Sequence, residues 1–129
     1  MTFYYQQILQ IRDKHMLNDH IINKVITGKK FIDENFYEDI NLDMVAGCSF
    51  FSRYHFIRLF RQAYGMTPHQ YIREKRMILA MQLLKDGLPV TETCFRTGFY
   101  SQPSFSTLFK KYCGQTPEEY KNSNIRYEQ

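Results

Sequence analysis

The fold is decided by two related segments, SRYHFIRLFRQAYGMTPHQY at residues 52–71 and SQPSFSTLFKKYCGQTPEEY at residues 101–120. At an offset of 49 residues, the two segments carry the same amino acid at eight of 20 positions. Agreement over this length indicates two copies of one supersecondary unit, and two copies are too few for a solenoid. The chain is therefore predicted to form the same local structure twice.

Each copy contains a helix with one apolar face. Apolar residues recur there at intervals of three and four, which is the spacing of an amphipathic helix. The predicted core residues are Phe56, Leu59, Phe60 and Ala63 in the first copy and Phe105, Leu108, Phe109 and Tyr112 in the second. A shorter helix and a tight turn are predicted before each copy, at residues 42–46 and 90–95. Short helix, turn and longer helix form the helix-turn-helix arrangement.

Capping residues mark where the predicted helices begin and end. Ser52 and Ser101 are predicted N-caps, and Pro68 and Pro117 each follow a threonine, a pairing that suits the first turn of a helix. The glycines are predicted to lie between helices, at Gly28, Gly47, Gly65, Gly87, Gly98 and Gly114. The predicted helices span residues 20–37, 41–46, 52–64, 68–86, 89–96 and 101–112, with a short seventh helix from residue 117.

These patterns predict an all-α fold of about seven helices, with two homeodomain-like helix-turn-helix subdomains joined by a long central helix. The predicted division is an N-terminal extension at 1–19, a first subdomain at 20–72, a linker helix at 68–86, a second subdomain at 87–123 and a tail at 124–129. Residues 1–19 can form an extra amphipathic helix through Tyr4, Ile8, Ile11 and His15. The aromatic segment at residues 3–5 is expected to pack against the domain.

Composition restricts the compartment and the chemistry. The longest apolar run is only five residues, at 77–81, and so no membrane span is expected. Three cysteines, Cys48, Cys94 and Cys113, are scattered without a CxxC pair, and we expect them to be reduced and buried in a cytoplasmic protein. The four histidines complete no zinc signature, and neither a metal nor another cofactor is expected.

Charge is distributed unevenly along the chain. Residues 1–50 carry five Lys and Arg against seven Asp and Glu, a net charge of −2, whereas residues 51–129 carry 12 against six, a net charge of +6. A basic region favours a polyanionic partner, because phosphate neutralisation releases counterions. The bias is weak support on its own, since many ordinary domains are basic.

The faces opposite the two apolar stripes carry basic and polar residues. They are Arg53, Tyr54, Ile57, Arg58 and Arg61 on the first helix and Gln102, Pro103, Ser106, Thr107 and Lys110 on the second. Such residues can read the major groove of DNA, because arginine suits guanine, glutamine suits adenine and an apolar side chain suits the thymine methyl group. They can equally well solvate the outer face of a helix. A helix-turn-helix pattern found twice favours DNA reading.

Phosphate contacts are predicted beside the base-reading positions. The predicted residues are Ser52, Arg61, Ser101, Lys110 and Lys111. The two serines, as N-caps, bring backbone N–H groups and the positive end of a helix to a position where a phosphate can bind.

The distance between the two copies fits DNA. At 1.5 Å per residue, the predicted helix at 68–86 is about 28 Å long. Successive major grooves on one face of B-DNA are roughly 34 Å apart. One chain is therefore expected to place two helices in adjacent grooves, with either a bent duplex or one weakly inserted helix. Because the two copies differ in their reading residues, the expected site is asymmetric.

The chain resembles the AraC/XylS family of bacterial transcription regulators over about residues 21–121. The family pattern around the second motif is matched by Gly98-Phe99, Ser101, Phe105, Phe109-Lys110-Lys111, Gly114, Thr116-Pro117 and Tyr120. The first motif and the linker match through Val45-Ala46, Ser52, Phe56, Arg58, Phe60, Gly65, Pro68, Tyr71-Ile72, Arg76, Ala80 and Leu83-Leu84.

The resemblance implies a seven-helix domain that binds double-stranded promoter or operator DNA with both recognition helices on the same side of the duplex. It implies base contacts from Arg53, Tyr54, Ile57 and Arg58 and from Gln102, Pro103, Ser106 and Thr107. Thr107 stands where family members often have arginine, and Pro103 restricts the first helical turn, so the second motif is expected to read fewer bases. RNA polymerase is an expected partner, the nucleoid the expected location, and a monomer or a weak dimer the expected state.

The sequence leaves three classes of protein to compare: a DNA-binding regulator, a protein-interaction module and an enzyme. The chain resembles either a stand-alone regulator or the DNA-binding output fragment of a larger signal-responsive regulator. A helical protein-interaction module is a second class, but it leaves the basic face of the first recognition helix unexplained. A thiol or acid-base enzyme needs a nucleophile beside a positioned base, and no such motif is present, so no enzymatic activity is expected.

Overall fold

The structure, a computed structural model, describes the backbone of residues 3–124 and the side chains of residues 6–7 and 18–124. Seven helices make up this described part of the chain. They are α1 (Phe3–Asn35), α2 (Leu42–Cys48), α3 (Arg53–Tyr64), α4 (Pro68–Lys85), α5 (Val90–Arg96), α6 (Gln102–Cys113) and α7 (Pro117–Asn124). The all-α prediction is confirmed. Within the described residues, none of the helices has both the length and the apolar character that a bilayer span requires.

The first helix is longer than the sequence predicted. Instead of a separate extension at 1–19 followed by a helix from residue 20, a single helix of 33 residues runs from Phe3 to Asn35. Residues 3–27 contain neither glycine nor proline, and so nothing in this stretch ends the helix. The expected packing of residues 3–5 and the stripe through Tyr4, Ile8, Ile11 and His15 lie outside the described side chains.

One compact unit lies within Met1–Ile32 and Asn41–Pro68. Its buried residues include Val25, Ile32, Leu42, Val45, Phe56 and Phe60. The ring centroids of Phe56 and Phe60, one helical turn apart on α3, are 5.6 Å apart. Gly28 lies inside α1, in agreement with the predicted helix at 20–37 and contrary to the prediction that this glycine separates helices. A Cβ there would overlap the Phe56 ring and lie 2.7 Å from Ser49 Oγ, which explains why the position is glycine. Gly47 likewise lies inside α2.

The second compact unit lies within Asp33–Ile40 and His69–Gln129. Its core consists of Met77, Ala80, Leu84, Val90, Cys94, Phe105, Phe109 and Tyr120. The Phe109 ring lies between two other core rings, with its centroid 5.7 Å from that of Phe105 and 5.4 Å from that of Tyr120. This unit thus repeats on α6 the buried phenylalanine pair of α3.

The two units divide the chain differently from the predicted subdomains. The segment after α1, predicted in the first subdomain, belongs to the second unit, as does nearly all of α4. Arg76 on α4 explains this, because its Nε donates to Phe36 O at 2.7 Å and its Nη2 to Glu38 O at 3.0 Å. The Lys75 ammonium also lies 3.6 Å from the Asp33 carboxylate.

Most predicted helix ends are confirmed. Ser52 and Ser101 are the N-caps of α3 and α6, and Gly65 and Gly114 end these helices with φ of 76° and 80°. Pro68 and Pro117 are the first residues of α4 and α7. The Thr116 side chain accepts a hydrogen bond from Glu119 N at 3.1 Å, which caps α7.

The buried stripes are narrower than predicted. Phe56, Phe60, Phe105 and Phe109 are fully buried, but Leu59 and Leu108 are only partly buried, and Ala63 and Tyr112 are exposed. The last two lie in the final turn of each recognition helix, beyond the buried layer. Ala63 borders an open groove that Ile22 and Ile26 of α1 also line. The prediction that all cysteines are buried is wrong for Cys48, which is exposed in the last turn of α2.

Candidate nucleic-acid interface

The turns before the two recognition helices have the same backbone geometry. In the first, Phe50 adopts a φ of 61° and Phe51 N donates to Ala46 O at 3.0 Å. In the second, Gly98 adopts a φ of 95° and Phe99 N donates to Cys94 O at 3.1 Å. These are the hydrogen bonds of a helix that ends with a left-handed residue. The second turn has one more residue, since five residues separate α5 from α6 and four separate α2 from α3.

The outward face of α3 brings together four of the residues predicted to face bases or phosphates. Tyr54, Ile57, Arg58 and Arg61 line one shallow depression, together with Gln62. Tyr54 is 76% exposed and both arginines are exposed, whereas Ile57 is partly buried. The depression therefore has an apolar floor at Ile57, with hydrogen-bond donors and positive charge around it.

Arg53, the first residue of α3, is held by two neighbours. Its Nε lies 4.0 Å from Asp43 Oδ1, and its Nη2 donates to the Tyr54 hydroxyl oxygen at 3.4 Å. The guanidinium carbon is also 5.2 Å from the centroid of the Tyr54 ring. The Tyr54 hydrogen bond, and then the charge of Asp43, raise the pKa of Arg53. Arginine is charged at any ordinary pH, and the exposed Asp43 carboxylate places a negative charge of α2 beside the guanidinium.

The outward face of α6 is polar but carries no charge at its base-facing positions. Gln102, Pro103 and Thr107 are exposed and Ser106 is partly buried. Gln102 Oε1 accepts a hydrogen bond from Thr91 Oγ1 at 3.1 Å, and Thr107 Oγ1 donates to Pro103 O at 3.0 Å. Only Pro103 and Thr107 of the predicted base-facing residues line the depression on this helix, which Ser104 and Leu108 complete.

The predicted phosphate residues lie beside these faces. Arg61 on α3 and Lys110 and Lys111 on α6 are exposed in the last two turns of their helices. The hydroxyl oxygens of Ser52 and Ser101 accept from the amides of His55 and Ser104, at 3.3 and 3.5 Å. Each hydroxyl oxygen therefore accepts one capping bond and keeps its O–H as a donor, so a phosphate would meet this O–H and the first backbone N–H groups of each helix.

Two residues at this surface were missed by the sequence analysis. Asp43 and Thr91 occupy equivalent places, each as the second residue of the short helix that precedes a recognition helix. Their offset of 48 residues differs from the offset of 49 between the longer helices, because the second turn has the additional residue. An alignment of the short helices at the smaller offset would have identified the pair.

Within the described residues, no group of three or more His, Cys, Asp and Glu side chains has an arrangement that could bind a metal ion.

Two copies of short helix, left-handed turn and longer helix define a helix-turn-helix protein, and residues 45–123 match a family model described as a helix-turn-helix domain. The regulatory protein SoxS of Salmonella typhimurium is 32% identical over 108 residues, which are 83% of this chain and 98% of SoxS. The chain belongs to the AraC-type helix-turn-helix family, as its motif residues predicted.

Solved structures agree with this assignment. The C-terminal domain of AraT, a response regulator from Geobacillus stearothermophilus, is 30% identical with a TM-score of 0.77, and the match covers 81% of this chain and 88% of that domain. The DNA-binding domain of AdpA, a global transcriptional factor, in complex with a target DNA is 26% identical with a TM-score of 0.73. That match covers 77% of this chain and 90% of the AdpA domain.

Proposed function

We propose that this chain is a transcription regulator that binds double-stranded DNA sequence-specifically, with α3 and α6 in adjacent major grooves of an asymmetric site. The observation that carries the proposal is the outward face of α3, where Arg58 and Arg61 border the partly buried Ile57. The AdpA domain, which resembles this chain in fold and sequence, was solved with a target DNA. An α-helix fits the major groove of B-DNA, and exposed arginines there can bond guanine O6 and N7.

The outward faces of α3 and α6 make different contacts with DNA in this proposal. Arg53, Tyr54, Ile57 and Arg58 read bases from α3, where charge and an apolar surface lie side by side. Gln102, Pro103, Ser106 and Thr107 form the neutral reading face of α6. Because Thr107 already donates to Pro103 O, the second motif reads fewer bases than the first. Phosphates are contacted by Arg61, Lys110 and Lys111 and by the N-terminal amides that follow Ser52 and Ser101.

The difference between the reading faces of α3 and α6 also indicates the oligomeric state and the partners of the chain. A site read by two different helices of one chain needs no two-fold axis, and so the chain acts as a monomer or a weak dimer. RNA polymerase is its second partner at promoters, in the cytoplasm and at the nucleoid. The activity is binding and not catalysis, in keeping with a family of regulators.

Selection of bound sequences from a random duplex library tests the proposal directly. The purified chain should enrich an asymmetric consensus with two boxes about one helical turn apart. Titration of that duplex at several salt concentrations should give a steep dependence, with a slope of about −2.7 to −3.6 if three or four phosphates are neutralised. An inverted repeat as the minimal site would contradict the two-motif geometry. Salt-sensitive binding without a consensus would mean that this chain only anchors to DNA and that specificity comes from elsewhere.

A protein-interaction module is separated from this proposal by the same titration. If the outward face of α3 served a protein partner, Arg58→Ala would leave binding to the selected duplex unchanged. Lys30→Ala supplies the control for net charge, because it removes one positive charge, as Arg58→Ala does, at an exposed position of α1. For substitutions that remove a negative charge the control is Asp86→Asn, because Asp86 is exposed just after α4 and contacts Gln82.

A further inference from the structure

The first residue of each recognition helix contacts the second residue of the short helix before it. In the first motif this contact is the pair of Arg53 and Asp43, with Nε and Oδ1 4.0 Å apart. In the second it is the pair of Gln102 and Thr91, joined by a hydrogen bond of 3.1 Å. The two contacts occupy equivalent places, but one is ionic and the other neutral.

We propose that Asp43 and Thr91 are positioning residues that set the DNA specificity of the two motifs, an inference that rests on the proposed function. Neither residue is expected to bind DNA itself. Each instead holds the side chain that stands at the N-terminal end of a recognition helix, the end that enters the major groove in helix-turn-helix proteins.

Asp43 changes what Arg53 can bind. An unrestrained arginine at a DNA surface contacts the nearest phosphate, which gives affinity without sequence information. The Asp43 carboxylate offsets that attraction, and the Tyr54 hydroxyl accepts from Nη2, so the guanidinium is retained on the helix face. Its other N–H groups remain for a base acceptor, since arginine carries five N–H donors. Asp43 thus lowers the affinity of Arg53 for phosphate and favours a contact between Arg53 and a base.

Thr91 acts on Gln102 without charge. The Thr91 hydroxyl donates to Oε1 of the amide, which occupies one of its two acceptor sites and sets the direction of the Nε2 donors. A free glutamine rotates its amide and bonds adenine through both oxygen and nitrogen. The hydrogen bond fixes one orientation of the amide and thereby narrows the set of base edges that Gln102 accepts.

The test measures affinity for the selected duplex and for a random duplex, at several salt concentrations. Asp43→Asn should strengthen random-duplex binding and lower the ratio of specific to random affinity by about twofold to fivefold, the strength of an exposed ion pair. Its salt slope should grow by about one, because Arg53 becomes a phosphate contact. Asp86→Asn, which removes the same charge elsewhere, should strengthen binding to both duplexes equally.

A double substitution shows whether the effect passes through Arg53. In an Arg53→Ala background, Asp43→Asn should leave the specificity ratio unchanged. If Asp43→Asn lowers the ratio equally in both backgrounds, Asp43 acts on DNA directly and the proposal is overturned for the first motif. An effect no different from that of Asp86→Asn overturns it as well.

Thr91→Val and Thr91→Ser form the matched pair for the second motif. Thr91→Val keeps the shape and removes the hydroxyl, and it should lower the specificity ratio by about twofold to tenfold, the strength of one hydrogen bond, at an unchanged salt slope. Thr91→Ser keeps the donor and should retain the ratio. Equal losses in both variants, or no loss in Thr91→Val, would overturn the role of Thr91. A wild-type chain without any preference for the selected duplex would instead overturn the proposed function itself.

Discussion

Phe50 adopts the left-handed backbone conformation at the position of the first turn where the second turn has Gly98. The φ angles are 61° and 95°, and the residue that follows each donates to the carbonyl five positions earlier. An L-residue in this region carries a steric cost that glycine avoids. Phe50 is 85% exposed, so its ring contributes little core packing to offset that cost.

Phe50→Gly is therefore expected to stabilise the chain. The gain should be about 0.5–1 kcal/mol, because relief of roughly 1–2 kcal/mol of strain exceeds the added entropy of glycine in the unfolded chain. Urea denaturation, monitored by circular dichroism, measures this change in the free energy of unfolding. Gly98→Ala is the matched opposite, since a Cβ there would lie 2.9 Å from Arg76 Nε, and it should destabilise by about 1–3 kcal/mol. A loss of stability in Phe50→Gly would contradict the strain at Phe50.

Gly28 and Gly47 both lie inside helices, and alanine should have opposite effects at the two positions. A Cβ at Gly28 would overlap the Phe56 ring, so Gly28→Ala should cost about 1–3 kcal/mol through overpacking. A Cβ at Gly47 would have no neighbour within 4 Å, so Gly47→Ala should stabilise by about 0.5–1 kcal/mol. The measurement is the urea midpoint of each variant. Equal shifts of the same sign would mean that Gly28 is not a packing position.

Local signals predicted most of the fold. The caps Ser52 and Ser101 and the left-handed Gly65 and Gly114 are read from a few neighbouring residues, and the buried pairs on α3 and α6 follow from helical period. The repeat then identified two helix-turn-helix motifs, and the family comparison confirmed that assignment. The roles predicted for individual residues at the DNA surface remain predictions.

The predictions that were wrong concern positions that are determined by contacts between residues far apart in the sequence. Gly28 was predicted to separate helices although it lies within the predicted helix at 20–37, and the contact that explains this glycine is with the Phe56 ring on another helix. The segment after α1 joined the second unit through Arg76, about 40 positions away in the sequence. The contact between Asp43 and Arg53 was missed for a different reason, because the short helices align at an offset of 48 residues and the recognition helices at an offset of 49.

Arg76 is expected to be the most sensitive charged residue of the second unit. It is half-buried and donates to the carbonyl oxygens of Phe36 and Glu38, and desolvation lowers its pKa. Arg76→Ala leaves both acceptors without these partners and should destabilise by about 2–4 kcal/mol. Arg76→Lys keeps the charge but loses the planar fork, and its loss should be intermediate. The thermal unfolding temperatures of the wild type and both variants give the comparison. An unchanged unfolding temperature for Arg76→Ala would show that these two hydrogen bonds do not stabilise the fold.

The cysteines should differ in reactivity with a thiol-specific alkylating reagent. Cys48 is exposed, whereas Cys94 has no exposed surface and burial raises the pKa of its thiol. In the folded chain Cys48 should be modified first and Cys94 last, and in urea all three should react. Mass spectrometry of timed samples measures this order, and early modification of Cys94 would contradict its burial.

The raised thiol pKa values also predict how stability depends on pH. Burial raises the pKa of both Cys94 and Cys113, so the folded state retains protons that the unfolded state releases. The free energy of unfolding should therefore fall as the pH rises above about 8.5, the ordinary thiol pKa. Cys94→Ala should weaken this decline, and a wild-type stability that stays level up to pH 10 would contradict it.

Arg58 and Lys111 offer a direct separation of base reading from phosphate binding. Both are exposed on recognition helices, but Arg58 borders the depression with the apolar floor at Ile57, whereas Lys111 lies in the last turn of α6. Arg58→Ala should cost about 1–3 kcal/mol on the selected duplex and relax the preference at one position, with a smaller loss on random DNA. Lys111→Ala should weaken binding to every sequence evenly and reduce the salt slope by about one. Fluorescence anisotropy titrations of both duplexes measure these quantities. Equal losses for Arg58→Ala on specific and random DNA would remove its base-reading role and leave it as a phosphate contact.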